Sequence, residues 1–447
     1  MSLSNHVKAY GSLGLLVAFG SGILFTLVFY DAYEPEPRPA RRKKPRIFSS
    51  MLDSRSTSMF IPNAVKLEDH TKPGPEEEFS IPVGLTSTIG NTPLFELTSL
   101  TALTGVPILA KAEYLNGAGN SPKDRVALSM IDAAEDAGLL VPNRGDTIYE
   151  GTSGSTGISI ASLASAKGYK AHICVDTEAS MDKVHLLHYL GAEVERVSPA
   201  PITSIDHYVN VAKRRAGEHE EKYQDGSRGF FADQFENEAN WTAHFRGTGP
   251  EIYKQCDGQI AAFVSGAGTG GTISGVACYL KEEMGMPDVQ IVLADPEGSG
   301  LYNKVKYGVM YSSKEKEGTK RRTQVDTIVE GIGINRLTEN FDKGRELIDD
   351  AIKVSDEQAM VMARWLVKKE GLFAGSSTAI NCVAAILTAI RLKKEGTSGN
   401  VVTIICDSGN RHLSKFWKSI GDLSCDDGTD EMDLLRLLGV TENGAEM

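Results

Sequence analysis

Between Gly266 and Thr272 the chain reads GAGTGGT, directly after the apolar run Ile260–Val264 and directly before a stretch with helical patterning. Glycines at 266, 268, 270 and 271 let a backbone turn tightly and approach a ligand closely. A helix starting there would present unpaired N–H groups and a partial positive charge, which together suit a phosphate. Such turns also occur with no ligand, so a purely structural turn is the competing reading. A second glycine-rich turn, Gly151–Gly157 (GTSGSTG), follows another short apolar run, Thr147–Glu150. A third feature is Ser121-Pro122-Lys123-Asp124-Arg125, with Lys123 just ahead of a helical pattern. A cation at a helix start is disfavoured by the helix dipole. Lys123 is therefore either a solvated surface lysine or an amine kept partly neutral for covalent chemistry with a carbonyl.

The elements that would position these residues alternate in type. Asp124–Gly138 places Val126, Met130, Ile131 and Ala134 on one helical face. Strands are expected at 147–150, 172–175, 192–197, 260–264, 289–294 and 401–406. Helices are expected at 158–167, 182–190, 241–255, from Thr272 onward, 356–370 and 378–394. Such alternation implies parallel sheets covered on both faces, with a ligand cleft at the strand C-termini. Residues 297–323 read as a polar surface excursion.

Composition sets outer bounds. With 447 residues, 41% hydrophobic and 24% charged, the chain can bury a large core. Its net charge of −12 hides a basic excess in the first fifty residues, where Arg38, Arg41, Arg42, Lys43, Lys44 and Arg46 cluster. The acidic remainder argues against nucleic acid as a partner. Six cysteines without a C-x-x-C pair suit a reducing compartment and argue against a structural metal site, and His185, His188, His207, His244 and His412 show no ligand spacing. Gly11–Tyr30 is uncharged and about one bilayer long as a helix. We read 1–33 as a membrane anchor, with a cleaved signal peptide as the rival. Residues 34–80 read as a disordered linker, 81–420 as a catalytic domain with a smaller lobe at about 127–230, and 421–447 as a tail. The basic cluster keeps its side of the anchor in the cytosol, so the body is expected to face the cytosol. The mitochondrial outer membrane is the favoured location, with endoplasmic reticulum as the alternative.

Six motifs taken together resemble the fold-type II pyridoxal-phosphate enzymes, most closely the cysteine synthase / cystathionine β-synthase family. They are GNTPLFEL (Gly90–Leu97), AKAEYLN…SPKDR (Ala110–Arg125), EGTSGSTGISIA (Glu150–Ala161), DQFENEANWTAH (Asp233–His244), GAGTGGTISG (Gly266–Gly275) with DPEGS (Asp295–Ser299), and EGLFAGSSTA (Glu370–Ala379). The resemblance covers roughly 81–414 and implies an α/β fold of two three-layer α/β/α lobes of mostly parallel sheet, like the tryptophan synthase β subunit. It implies pyridoxal 5'-phosphate carried on Lys123 as an internal aldimine. It also implies a phosphate cradle at Gly268, Thr269, Gly270, Gly271 and Thr272, and Ser377 facing the pyridine nitrogen. Thr152, Ser153, Gly154 and Thr156, with Gln234, are then expected to grip a substrate carboxylate. A hydroxyl at 377 cannot hold a proton on the ring as an aspartate would, which favours β-elimination over transamination. The implied activity is cysteine synthesis from O-acetylserine and sulfide through an α-aminoacrylate, in a fungal membrane-anchored branch, usually as a homodimer. Cystathionine β-synthase, a serine dehydratase-like lyase and a catalytically weak membrane-tethered scaffold are the alternatives. Two departures stand out. Ser155 replaces the asparagine that in the family loop TSGNTG contacts the cofactor's ring hydroxyl. The segment from Asn116 to Lys123 is one residue longer than the family's N-P-x-x-S-x-K.

Overall fold

The computed structural model describes residues 81–310, 327–421, 434, 435 and 437–439. These belong to one compact unit, Ser80–Met447. The expected anchor and linker, and most of the tail, lie outside the described residues, as do positions 311–323 of the polar excursion. Among the described residues no helix is long and apolar enough to cross a membrane.

The chain opens a sheet, leaves it, and returns. β1 (Leu94–Glu96) and β2 (Ile108–Ala112) come first, followed by β3 (Thr147–Gly151), β4 (Lys170–Asp176), β5 (Glu193–Val197) and β6 (Gly229–Phe231). These last four form a separate parallel sheet in the order β5-β4-β3-β6. The chain then returns with β7 (Ile260–Gly266), β8 (Gln290–Pro296), β9 (Asp350–Val354) and β10 (Asn400–Ile405). The larger sheet has six strands in the order β1-β2-β10-β7-β8-β9, all parallel except the β1–β2 pair. The molecule is therefore α/β with mixed to parallel sheets.

Helices cover both faces of each sheet, as unbroken apolar strands require. On the smaller sheet, α1 (Lys123–Asp136) and α2 (Ser155–Lys167) pack on the face carrying Ile148, Ile173 and Val175. α3 (Tyr208–Gly217) closes the other face through Val211 and Ala212 against Cys174. On the larger sheet the alternation of side chains divides the core in two. Phe263, Ile291, Leu293 and Val402 meet α4 (Gly271–Ala277), while Ala262, Val264, Val292 and Val401 meet α5 (Ser376–Glu395). α2 begins at Ser155, earlier than the pattern suggests, so Ser155 and Thr156 sit in its first turn.

Candidate functional site

Three strands of this fold lead at their C-terminal ends into segments that the sequence singles out, and a fourth leads into one that it does not. β2 leads to the turn before Lys123, β3 to Thr152–Thr156, β7 to Gly268–Thr272 and β10 to Cys406–His412.

The turn after β7 accepts only glycine at three positions. A Cβ on Gly268 would lie 2.3 Å from the Gly331 carbonyl oxygen, and one on Gly271 would lie 2.0 Å from Asn240 Oδ1. Gly270 has φ of 88°, and its Cβ would meet that of Phe341 at 2.4 Å. The loop is held from behind: Thr269 accepts from Asn240 Nδ2 at 2.9 Å on its hydroxyl and from the Thr338 hydroxyl at 2.8 Å on its carbonyl. Thr272, at the helix start, pairs with His244 Nε2 at 3.1 Å, and His244 Nδ1 pairs with Thr248 at 2.9 Å. Burial, helped by the charges of Arg125 and Lys123, drives the His244 imidazole well below its ordinary range, so it is neutral.

Lys123 opens α1. Burial pushes its amine down from the usual lysine value, and Cys406 and Asp407 act in the opposite sense. Its neighbour Asp124 accepts from Gly119 N–H at 2.6 Å, Ala118 N–H at 3.2 Å and the Ser159 hydroxyl at 2.6 Å. The lengthened turn before the lysine is thereby tied to α2. Behind it lies a buried ion cluster. Arg125 bonds Glu113 at 2.7 and 2.8 Å and Glu251 at 2.6 and 2.7 Å, and Lys111 pairs with Glu251 at 2.7 Å.

In the turn after β3, Thr152 Oγ1 accepts from Gly154 N–H at 3.1 Å, while Ser153 is only half-buried. Thr156 donates to Gln234 Oε1 at 2.5 Å. Asn240 Nδ2 donates to the Gln234 carbonyl at 2.6 Å as well as to Thr269, so this turn and the glycine turn share one support. Ser377, buried in the first turn of α5, lies beside the Cys406 thiol, which burial pushes up to about 12. Lys123, Ser155 and Ser377 thus converge on Cys406–Asp407: Ser155 Oγ donates to Asp407 Oδ2 at 3.4 Å.

Sequence reasoning passed over Asp407, Arg411, His412 and Glu330. Arg411 donates to Ser155 Oγ at 3.4 Å and to the Gly119 carbonyl. His412 Nε2 lies 3.1 Å from both Asp407 oxygens and its Nδ1 lies 3.2 Å from Glu330, which pairs with Lys183 at 2.9 Å. No spacing within Asp407–His412 marks these partners. Among the described residues one group, His172, Cys174 and Glu195, brings metal-ligand atoms within 4.8 Å. There Arg215 already holds both Glu195 oxygens, at 3.0 and 2.8 Å, which disfavours a cation.

Comparison with known proteins points one way. The family described as pyridoxal-phosphate dependent enzyme matches residues 85–407. The chain is 58% identical to "Cysteine synthase 2" of Neurospora crassa over 99% of each chain. It is 54% identical to "Putative mitochondrial cysteine synthase" of Saccharomyces cerevisiae, over 78% of this chain and 87% of that one. Among solved structures, that of O-ureido-L-serine synthase superposes with a TM-score of 0.63 at 28% identity, over 77% of this chain and 97% of the other.

Proposed function

The chain belongs to the family of pyridoxal-phosphate-dependent enzymes, and from that membership we propose that it is a cysteine synthase, converting O-acetylserine and sulfide to cysteine and acetate. The observation that carries this reading is the 58% identity over 99% of each chain to a protein named for that activity, in a chain with a lysine of lowered proton affinity at 123 and a glycine-only turn after β7.

The residues present suit the cofactor. Gly268, Thr269, Gly270, Gly271 and Thr272 would hold its phosphate, since three of these positions admit only glycine against Gly331, Phe341 and Asn240, and the helix start offers N–H groups. Lys123 would carry its aldehyde carbon, Ser377 would face its ring nitrogen, and Ser155 would lie toward its ring hydroxyl. When bound, the cofactor supplies an electron sink for the bond from Cα to hydrogen. Thr152, Ser153, Gly154 and Thr156 hold the substrate carboxylate through backbone N–H groups and hydroxyls. Gln234 orients Thr156 for that contact. The substrate amine would take the place of Lys123 on that aldehyde carbon, and Lys123, released and with its proton affinity lowered by burial, takes the Cα proton. Acetate then leaves from Cβ, sulfide adds at the same carbon, and Lys123 returns the proton to Cα.

The test is spectroscopic and chemical. Purified protein loaded with pyridoxal phosphate is expected to absorb visible light, and Lys123→Ala to lose that band and the activity together. Protein that binds the cofactor but releases neither acetate nor cysteine from O-acetylserine and sulfide refutes the reading.

The same reading extends to the whole chain. Residues 1–33 form a membrane anchor, 34–80 a linker, 81–420 the catalytic body with its smaller lobe at about 127–230, and 421–447 a tail. The uncharged run Gly11–Tyr30 and the basic cluster after it support an anchored body facing the cytosol. The name of the yeast relative supports a mitochondrial location, and the outer membrane is our proposal. Alkaline extraction of isolated mitochondria tests this, since an anchored protein stays in the pellet. The body is proposed to pair as a homodimer, consistent with the exposure of Phe373 and Leu413; light scattering in solution gives the mass.

A further inference from the structure

Two peculiarities of this chain, the serine at 155 and the lengthened turn before Lys123, meet on one side chain, that of Arg411. We propose that Arg411 binds the oxygen of the cofactor's ring hydroxyl, a contact that Ser155 lies toward but does not make. This deepens the reading of the site as a pyridoxal-phosphate pocket and rests on it.

Arg411 Nη1 donates to Ser155 Oγ at 3.4 Å in the first turn of α2, and Nη2 donates to the Gly119 carbonyl in the turn before Lys123. One planar group thus spans the segments that follow β2 and β3. Its own segment, just past β10, is fixed. Gly409 N–H donates to the Phe373 carbonyl at 3.0 Å, the Ser408 hydroxyl accepts from Asn410 N–H at 3.3 Å, and His412 Nε2 lies 3.1 Å from both oxygens of Asp407. Gly119 is fixed as well, because its N–H donates to Asp124 at 2.6 Å.

Donors decide between Ser155 and Arg411. A guanidinium only donates, a carboxylate only accepts, and a hydroxyl has a single hydrogen. Ser155 therefore accepts from Arg411 and gives its one hydrogen to Asp407 Oδ2, at 3.4 Å. No hydrogen is left on it for a ring oxygen. Arg411 brings five N–H groups and commits two of them to Ser155 and Gly119. Burial opposes its charge, while Asp407 and Asp124 support it without pairing directly. Charge points the same way. A hydroxyl beside an aldehyde on a pyridine ring is acidic, so its oxygen binds as an anion, and a buried anion needs a partner. The other buried cations behind the pocket are engaged: Arg125 by Glu113 and Glu251, and Lys111 by Glu251.

The experiment is a comparison of two ligands by equilibrium dialysis against protein stripped of cofactor. One is pyridoxal phosphate. The other is an analogue that keeps the aldehyde and the phosphate but carries hydrogen in place of the ring hydroxyl. The parent is expected to bind the analogue about ten- to a hundredfold more weakly, the range of a hydrogen bond to a charged group. Arg411→Met keeps the stem and removes the donors. Pyridoxal phosphate then weakens by that factor, the analogue binds as it does to the parent, and the gap closes. In the spectrum of the loaded variant, absorbance moves from the visible band, which belongs to the ionised ring oxygen, to the near-ultraviolet. Ser155→Ala keeps the gap. A guanidinium that merely ties Ser155 to Gly119 weakens both ligands alike in Arg411→Met; that result overturns the proposal, as does a gap that Ser155→Ala closes. If Arg411→Met fails to fold, Arg411→Gln, which is neutral yet able to keep the Gly119 bond, is expected to narrow the gap, and an unchanged gap overturns the proposal. A parent that binds neither ligand overturns the pocket reading and this one with it, whereas a parent that binds both equally overturns this one only.

Discussion

At the scale of single residues, the glycine turn after β7 makes the sharpest demand. Gly270 combines a left-handed backbone with contact to Phe341. Gly270→Ala is expected to cost about 1–3 kcal/mol of stability through backbone strain alone. It should also raise the dissociation constant for pyridoxal phosphate, read by equilibrium dialysis. An unchanged constant would show that the phosphate sits elsewhere. This turn was legible in the sequence because glycine announces unusual backbone by its identity. Asp407, Arg411, His412 and Glu330 were not. Each is an ordinary polar residue whose meaning lies in partners from other segments, such as Ser155 and Lys183, and no local pattern records such a meeting. Lys123 falls between these cases: helix-start chemistry left it ambiguous, and only the neighbouring motifs separated an active amine from a surface one.

At the scale of elements, α1 is held in place from behind by charge. Arg125 joins Glu113 on the segment after β2 to Glu251 on the helix Gly249–Gln255, and Lys111 of β2 completes the cluster. Removing one member strands the others in a poorly hydrated site. Arg125→Leu is expected to lose about 3–5 kcal/mol in chemical denaturation, more than a surface ion pair could account for. The same cluster explains why β2 escaped notice, since its sequence ILAKA is interrupted by a lysine that is completely buried. The helix expected at 241–255 exists, but its middle, His244–Thr248, is a wider π turn. Pro250 lacks an N–H and its ring crowds the carbonyl four residues back, so regular pairing fails just there. That widened turn carries His244 and its bond to Thr272, a detail that helical periodicity does not encode.

At the scale of the whole molecule, several buried groups tie stability to pH in one direction. Burial opposes the charge on His412, but Asp407 and Glu330 outweigh it and raise the imidazole to about 9 from 6.5. Its contribution is complete below about pH 6.5 and fades as pH rises through 9. Burial raises Glu150 to about 8 and Asp295 to about 7, so each folded state keeps a proton that the unfolded chain gives up, and stability again falls with rising pH. Burial also opposes ionisation of Glu330 and Glu251, yet their cationic partners hold both at about 2. Their contribution is present above the ordinary carboxylate range and is lost as pH falls toward 2. Melting temperature is therefore expected to peak on the acid side of neutrality and decline toward pH 9. His412→Gln should flatten the decline between about 6.5 and 9. A melting temperature that climbs steadily to pH 9 contradicts this account. The parallel, doubly covered sheets were legible from alternating strands and helices. What the pattern left open was their interleaving, because nothing local to β2 says that its inner neighbour is β10.

That interleaving bears on how the chain is made. As it emerges from a ribosome, the four strands of the smaller sheet and the helices around them appear consecutively, and can collapse while synthesis continues. β1 and β2 appear earlier still, yet they border a gap that only the last strand fills. The nascent larger sheet thus waits, with an apolar seam open, until β10 has been made. Premature termination before Asn400 would leave a tidy half and an unfinished one, and the latter is natural prey for holding chaperones.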